Sequence, residues 1–276
     1  MGSRTIVSTM PGRQLTWIDD DTPLPPTSWA LGPGSEAPGL LAAGGHVTPQ
    51  RLEEAYRCGV FPWFDPTSPP LWWSPDPRMV LPVAEFRLSH NLRKTLRRFI
   101  RTPGCEVRFD TAFRRVITAC AATPRDGQHG TWIVDEIIDA YCAWHALGRA
   151  HSVETWVDGE LVGGLYGVGI GAMFFGESMF SHRTDASKIA LAALVAFCRQ
   201  HGITLIDCQQ RTGHLASLGG REIPRSVFEA HLTRTLGAHP PPSWAYHPQM
   251  WAQLGLEPTA QPAAPNPATA LPPPCA

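Results

Sequence analysis

The chain has 276 residues, of which 43% are hydrophobic, and a formal net charge of −1 at pH 7. These values are typical of a globular protein with one large or two modest domains, and they exclude nucleic-acid recognition through bulk positive charge. The sequence contains no run of about 18 apolar residues and no basic-then-apolar leader, so it predicts neither a membrane span nor a signal peptide.

The seven cysteines are an odd number and form no Cys-x-x-Cys pair. Several lie in apolar segments, as buried thiols commonly do, so we expect reduced cysteines and a cytoplasmic location. The eleven histidines form no HExxH motif and no paired Cys/His spacing, so no metal site is expected.

Changes in composition divide the chain into four parts. Residues 1–37 are rich in Pro, Gly, Ser and Asp and predict a loose arm, whereas the Pro- and Ala-rich residues 258–276 predict a disordered tail. Between them we predict a helical or mixed N-terminal domain, 38–128, and a second domain, 129–257.

The first elements of the N-terminal domain follow from capping residues. Thr48 and Pro49 match an N-cap with proline at the first helical position, which predicts a helix through Tyr56. A loop rich in proline and tryptophan is predicted from Phe61 to Pro77. Its three tryptophans, within eleven residues, could stack on bases or form a small satellite core.

Ser89 and Asp110 are candidate N-caps of two further helices. The first of these helices lies in Arg87–Arg101, which holds six basic residues and no acidic one. Its exposed arginines, at four-residue intervals, repel one another, and phosphates would relieve that repulsion. An ordinary solvated helix face is the alternative.

The second domain is predicted to be a mixed β-sheet with packed helices. Asp158-Gly159 is a strong signal for a tight hairpin turn. The helices are expected at 134–147 and 186–200, and the strands at 152–157, 161–168, 173–180 and 204–208. This order of elements is that of the N-acetyltransferase-like fold, an α+β class.

Glu177 lies inside an apolar predicted strand. A buried carboxylate without a partner costs several kcal/mol, so a cation is predicted beside it. That cation could be structural, such as Arg183 or Lys188, or it could be a substrate ammonium group.

Asp207 and Gln209 share one face of the next predicted strand, and Cys208 faces the other way. A carboxylate and an amide at a strand end can together accept a proton and orient a nucleophile. The alternative is a helix cap or a buried hydrogen-bonded pair.

Taken together, these segments resemble the leucyl/phenylalanyl-tRNA–protein transferases. The resemblance covers about residues 38–230, and its motifs occur in the family's order. Small departures are His46 where an acid is common and His182 where arginine is common. The set of matching motifs is specific, and it includes Gly59-Val60-Phe61-Pro62-Trp63-Phe64, Trp72-Trp73-Ser74-Pro75-Asp76-Pro77-Arg78, Phe175-Gly176-Glu177-Ser178-Met179-Phe180-Ser181 and Leu205-Ile206-Asp207-Cys208-Gln209.

The resemblance implies a bacterial enzyme that transfers Leu or Phe, and also Met, from charged tRNA to proteins that begin with Arg or Lys. The product would be an N-degron that marks the acceptor for proteolysis. The resemblance implies no metal and no redox cofactor.

The resemblance also implies binding roles, position by position. The adenosine and aminoacyl group would contact Tyr56, Trp63 and Trp132. The apolar side-chain pocket would be lined by Leu165, Phe174 and Met179. The tRNA acceptor arm would contact Arg97, Arg98 and Arg101.

Three residues would surround the reacting centre. Gln209 would contact the attacking α-amine, Asp207 would polarise it, and Glu177 would orient the donor amino group or the acceptor's basic side chain. The donor ester is already activated and the amine has a pKa of about 8, so only a mild base is needed. Positioning and oxyanion stabilisation would supply most of the rate, with Cys208 a bystander.

Two rival functions stay open on the sequence. An acyl-CoA-dependent acetyltransferase of the same fold would need a pyrophosphate-binding turn, and the nearest match, Gln210–Leu215, ends in leucine and follows the wrong strand. A non-catalytic tRNA-binding module would explain the basic helix and the tryptophans, but not the acids in the strands.

Overall fold

The computed structural model describes residues 15–123 and 131–257. The start of the predicted arm, the residues around the predicted boundary at 128 and the predicted tail lie outside these ranges. No helix of the described residues is long and apolar enough to cross a membrane.

The described residues form two sheets, and the smaller has the strand order β1-β2-β4-β3, with β1 parallel to β2 and the other pairs antiparallel. Its strands are β1 (Thr16–Ile18), β2 (Leu40–Gly44), β3 (Phe61–Pro62) and β4 (Leu71–Trp73). The predicted Pro- and Trp-rich loop therefore contains two strands. Local sequence did not reveal them because each is only two or three residues long and contains or borders proline.

The larger sheet has the order β11-β5-β10-β9-β8-β7-β6. Its strands are β5 (Arg78–Pro82), β6 (Cys105–Phe109), β7 (Ala150–Val157), β8 (Glu160–Ile170), β9 (Met173–Ser181), β10 (Leu205–Gln209) and β11 (Arg221–Ile223). The β7–β8 and β8–β9 pairs are antiparallel, whereas β10 is parallel to β9 and antiparallel to β5. Because β5 and β6 precede residue 128, this sheet contains strands from both sides of the predicted domain boundary.

The helices pack on both faces of the larger sheet. They are α1 (Pro49–Arg57), α2 (His90–Arg101), α3 (Phe113–Ala121), α4 (Asp135–Ala146), α5 (Ala186–Gln200), α6 (Gly213–Ser217) and α7 (Arg225–Thr235). One apolar core contains α1, α3, α4 and α7 together with the smaller sheet. The other contains α2, α5 and the 3-10 helix Pro248–Leu254.

Two of the predicted N-caps are confirmed and one is wrong. Thr48 and Ser89 accept the backbone N–H groups of Arg51 and Leu92, each at 3.2 Å. Asp110 has a left-handed φ of 57° and instead accepts the N–H of Ser152 at 2.8 Å.

A carboxylate from strand β7 binds the backbone just before α3. Glu154 is fully buried on β7 and accepts the N–H groups of Thr111 and Ala112, at 2.9 and 2.8 Å. It also accepts the indole N–H of Trp156. Glu154 therefore holds the two residues that precede α3, and no side chain caps the helix itself.

Trp244, in the segment that follows α7, packs against the α5 side of the sheet. Its ring stacks on His151 and Phe197, with centroid distances of 3.9 and 4.5 Å. It also lies 5.5 Å from the ring of Phe174 on β9. Trp244 therefore joins the C-terminal segment to a residue at the centre of the sheet.

We expect Trp244→Ala to lower the free energy of unfolding by about 1–3 kcal/mol, because it removes a half-buried ring that packs on three other rings. Trp29→Ala is the matched control, since the Trp29 side chain is 47% exposed and should contribute little. Urea unfolding measures both values, and equal destabilisation of the two variants would contradict this role of Trp244.

Candidate active site

The site begins where β9 and β10 stop pairing. The two strands pair only at Ile206 with Phe174 and at Asp207 with Phe175. Strand β9 then continues to Ser181, whereas β10 ends at Gln209. Side chains from both faces of the sheet can therefore reach one space between the strands.

That space is a cavity of about 390 Å³. Its α5 side is apolar and includes Leu191, Leu194 and Ile206, which the sequence analysis did not assign to the site. Eight of the predicted site residues also line it: Trp63, Trp132, Leu165, Phe174, Glu177, Met179, Asp207 and Gln209.

Tyr56 does not line the cavity, although the resemblance places it against the adenosine. Its side chain is fully buried, and its hydroxyl donates to Glu177 Oε1 at 2.5 Å. The Tyr56 hydroxyl also lies 2.5 Å from that of Tyr141 on α4. Tyr141 was missed because a tyrosine on the apolar face of a helix looks like an ordinary core residue.

The predicted tRNA-binding residues lie on α2, outside the cavity. Arg97, Arg98 and Arg101 are exposed. Arg93 is half-buried and donates to the carbonyl oxygen of Leu254 at 3.2 Å, so it holds the C-terminal segment. The four-residue spacing predicted that Arg93 is exposed together with Arg97 and Arg101, and for Arg93 this prediction is wrong.

Helix α2 meets the start of α5, the helix that lines the apolar side of the cavity. Thr95 Oγ1 on α2 lies 3.4 Å from Asp185 Oδ2, immediately before α5. This contact places the basic helix beside the element that carries Leu191 and Leu194.

Glu177 meets hydrogen-bond donors rather than the predicted structural cation. Gln209 Nε2 donates to Glu177 Oε1 at 2.8 Å, and the Tyr141 hydroxyl lies 3.4 Å from Oε2. Arg183 pairs with Glu160 at 3.4 Å and Lys188 with Asp185 at 2.7 Å, so the prediction of either as its partner is wrong.

Burial, helped by the Asp207 charge, raises the pKa of the Glu177 carboxyl to about 8. The Tyr56 and Tyr141 hydrogen bonds and the Arg78 charge oppose this rise. Burial also raises the pKa of both tyrosines well above the usual value, so they remain neutral donors at physiological pH. The carboxyl of Glu177 therefore titrates in the range where α-amines do.

Asp207 forms a bidentate ion pair with Arg78. Nε and Nη2 of the guanidinium donate to Oδ1 and Oδ2 at 2.8 and 2.6 Å, and the two side chains are only 1% and 0% exposed. Arg78 also donates to the Gly59 carbonyl at 3.0 Å. Its guanidinium lies between the rings of Phe61 and Phe228, at 4.8 and 4.7 Å.

Gln209 has a left-handed backbone, with φ of 61°, which is unusual for a residue other than glycine. Its N–H donates to Asp207 Oδ1 at 2.9 Å. The pairing of β10 with β5 shifts register between these two residues, so the predicted alternation of side chains ends here. Asp207 thus contacts both Arg78 and Gln209, and the Gln209 side chain in turn contacts Glu177.

Cys208 packs on the α5 side of the sheet, opposite Asp207, as the alternation predicts. Burial strongly raises the pKa of its thiol, so the reactive thiolate is disfavoured. No group of three or more His, Cys, Asp or Glu in the ranges 15–123 and 131–257 could hold a metal ion.

Two family models match the chain. Residues 80–233 match the family described as leucyl/phenylalanyl-tRNA protein transferase, and residues 45–76 match its N-terminal domain. The family's own division therefore falls near residue 78, earlier than the predicted boundary.

Relatives named leucyl/phenylalanyl-tRNA–protein transferase align over most of the chain. The protein from Methylibium petroleiphilum is 65% identical over 249 residues, which cover 90% of this chain and 94% of the relative. The protein from Leptothrix cholodnii is 62% identical over 251 residues, 90% and 98% of the two chains. The protein from Cupriavidus metallidurans is 61% identical over 221 residues, 80% and 89%. The chain belongs to the leucyl/phenylalanyl-tRNA–protein transferase family.

Proposed function

We propose that the protein transfers leucine or phenylalanine, and also methionine, from aminoacyl-tRNA to the N-terminal Arg or Lys of acceptor proteins. As a member of its family, the chain is an aminoacyltransferase. The observation that carries the proposal is the apolar cavity whose polar edge is formed by Glu177 and Gln209. The product would be an N-degron, and an aminoacyl-tRNA donor is consistent with the predicted cytoplasmic location.

The donor's side chain would occupy the apolar part of the cavity. Leu165, Phe174 and Met179 lie there with residues of α5, and these side chains offer no hydrogen bond to a polar substituent. The aromatic faces of Trp63 and Trp132 at the same cavity would stack on the terminal adenosine. The ester carbonyl would then lie near Glu177 and Gln209.

We expect overlapping use of Leu, Phe and Met as donors, with weak use of Ile and Val. An apolar pocket distinguishes two side chains that differ by one methylene by only about 1–3 kcal/mol. Branching at Cβ, as in Ile and Val, instead widens the side chain at its base. The kcat/KM values of the five aminoacyl-adenosines measure this preference. Use of Ile as efficient as that of Leu would contradict the assignment of the pocket.

The preference for acceptors that begin with Arg or Lys comes from the resemblance. A panel of otherwise identical peptides beginning with Arg, Lys, Ala or acetylated Arg tests it, with leucyl-adenosine as donor. We expect leucine to be added to the first two peptides and not to the acetylated one, which lacks a free α-amine. Equal transfer to the Ala peptide would contradict the acceptor preference but not the transferase activity.

We propose that the larger sheet is N-acetyltransferase-like. The succession of the antiparallel β7–β8–β9, helix α5 and the parallel strand β10, together with the separation of β9 from β10, supports this likeness. An acetyl-CoA-dependent activity is the rival function on such a sheet. Turnover of acetyl-CoA with no transfer from aminoacyl-tRNA would favour it.

A further inference from the structure

The ion pair with Arg78 leaves Asp207 poorly placed to take a proton from substrate. Oδ1 accepts from Arg78 Nε and from the N–H of Gln209, and Oδ2 accepts from Arg78 Nη2. The side chain is fully buried. Protonating it would leave the buried guanidinium without a counter-charge, which is strongly unfavourable.

Glu177 has the opposite surroundings. Its side chain is half-buried and lines the cavity, and its carboxylate contacts the neutral groups of Tyr56, Tyr141 and Gln209. Protonation would therefore break no ion pair that this carboxylate makes. Its pKa of about 8 is close to that of an α-amine, which is the condition under which proton transfer is most efficient.

We propose that Glu177, rather than Asp207, takes the proton from the attacking amine, an inference that rests on the proposed function. The neutral α-amine attacks the ester carbonyl, and a C–N bond forms. The nitrogen loses one proton to the Glu177 carboxylate. The bond from the carbonyl carbon to the 3′-oxygen then breaks, and that proton passes from Glu177 to the oxygen, so the carboxylate is restored.

Asp207 and Arg78 become positioning residues in this scheme. The Asp207 carboxylate holds the N–H of Gln209, which keeps that residue in its left-handed conformation. The Gln209 side chain then reaches Glu177 through Nε2, and its Oε1 remains available to accept from the attacking amine.

The groups that surround Glu177 do not change protonation in the pH range where Glu177 does. Tyr56 and Tyr141, from α1 and α4, have raised pKa values and stay neutral. Asp207 and Arg78, from β10 and β5, form a closed ion pair. His214 on α6 also lines the cavity, and burial lowers the pKa of its imidazole, so its titration lies at lower pH.

The test is the pH dependence of kcat/KM for a peptide beginning with Arg, with leucyl-adenosine as donor. Below pH 7 the wild type must lose one proton from the amine and one from Glu177, so log kcat/KM should rise with a slope of about 2. In E177Q only the amine titrates, so the slope should be about 1, with a rate about 10²–10⁴-fold lower at pH 8.

Two further variants keep the test decisive. E177D retains a carboxylate and should keep a slope of about 2 at a reduced rate, and H214N should also keep that slope. A slope of 1 in the wild type, or of 2 in a folded E177Q, would overturn the proposal. Absence of any leucine transfer by the wild type would instead overturn the proposed function.

Discussion

Asp207→Asn should lower the free energy of unfolding by about 3–5 kcal/mol, because it leaves the buried guanidinium of Arg78 without a counter-charge. Turnover should fall in parallel with the folded fraction. Urea unfolding and leucine transfer, measured on the same preparation, give the two quantities.

The double variant R78M/D207N separates the structural role of Asp207 from a chemical one. Removing both charges should recover most of the stability, because no unpaired buried charge remains. The amide oxygen of the new asparagine can still accept the N–H of Gln209. We therefore expect turnover within about tenfold of the wild type, since general-base assistance, typically worth 10²–10⁴-fold, does not come from this residue.

A stable R78M/D207N that is slower by about 10²–10⁴-fold would restore Asp207 to the sequence-based role of polarising the amine. The matched comparison is E177Q, which removes the group that we place in direct contact with the reacting nitrogen. Donor binding to both variants, followed through leucyl-adenosine, shows whether the defect lies in binding or in the chemical step.

Neutralising Arg97, Arg98 and Arg101 together should weaken tRNA binding at low salt by about tenfold or more. The slope of log K against log salt should become shallower by about 0.7–0.9 for each phosphate that the variant no longer neutralises. These three side chains lie on the exposed face of α2, outside the cavity, so use of leucyl-adenosine should be nearly unchanged.

The control variant replaces three exposed arginines on other helices, Arg57, Arg114 and Arg234, and removes the same total charge. It should leave the salt slope close to that of the wild type. If both triple variants bind tRNA equally weakly, binding reflects overall charge rather than the basic helix. An equal defect with tRNA and with leucyl-adenosine would also contradict the assignment.

The sequence predicted the elements whose signals are local. The helix Ala186–Gln200 has its predicted bounds, and Asp158-Gly159 forms a turn in which both residues have positive φ, 53° and 79°. Caps such as Thr48 depend on residues only three positions apart, so a single sequence contains the whole signal.

The contacts that organise the site are not local. Arg78 and Asp207 are 129 positions apart, and Tyr56 and Glu177 are 121 apart. The residue pattern and the resemblance both indicated Glu177 and Asp207. Arg78 appeared only within a matching motif, without a role, and Tyr141 was not identified, because only the fold shows which side chains face the two acids. The failed cap at Asp110 has the same cause, since this carboxylate instead accepts the N–H of Ser152 on a strand that is distant in sequence.

The most direct test of the central claim uses leucyl-tRNA with labelled leucine and a protein that begins with Arg. Mass analysis of the product then locates the label. We expect one leucine in peptide linkage to the N-terminal α-amine, with deacylated tRNA released in equal amount, and a rate about 10²–10⁴-fold lower in E177Q at pH 8. Tight binding of the leucyl-tRNA with no leucine on the protein would contradict the claim.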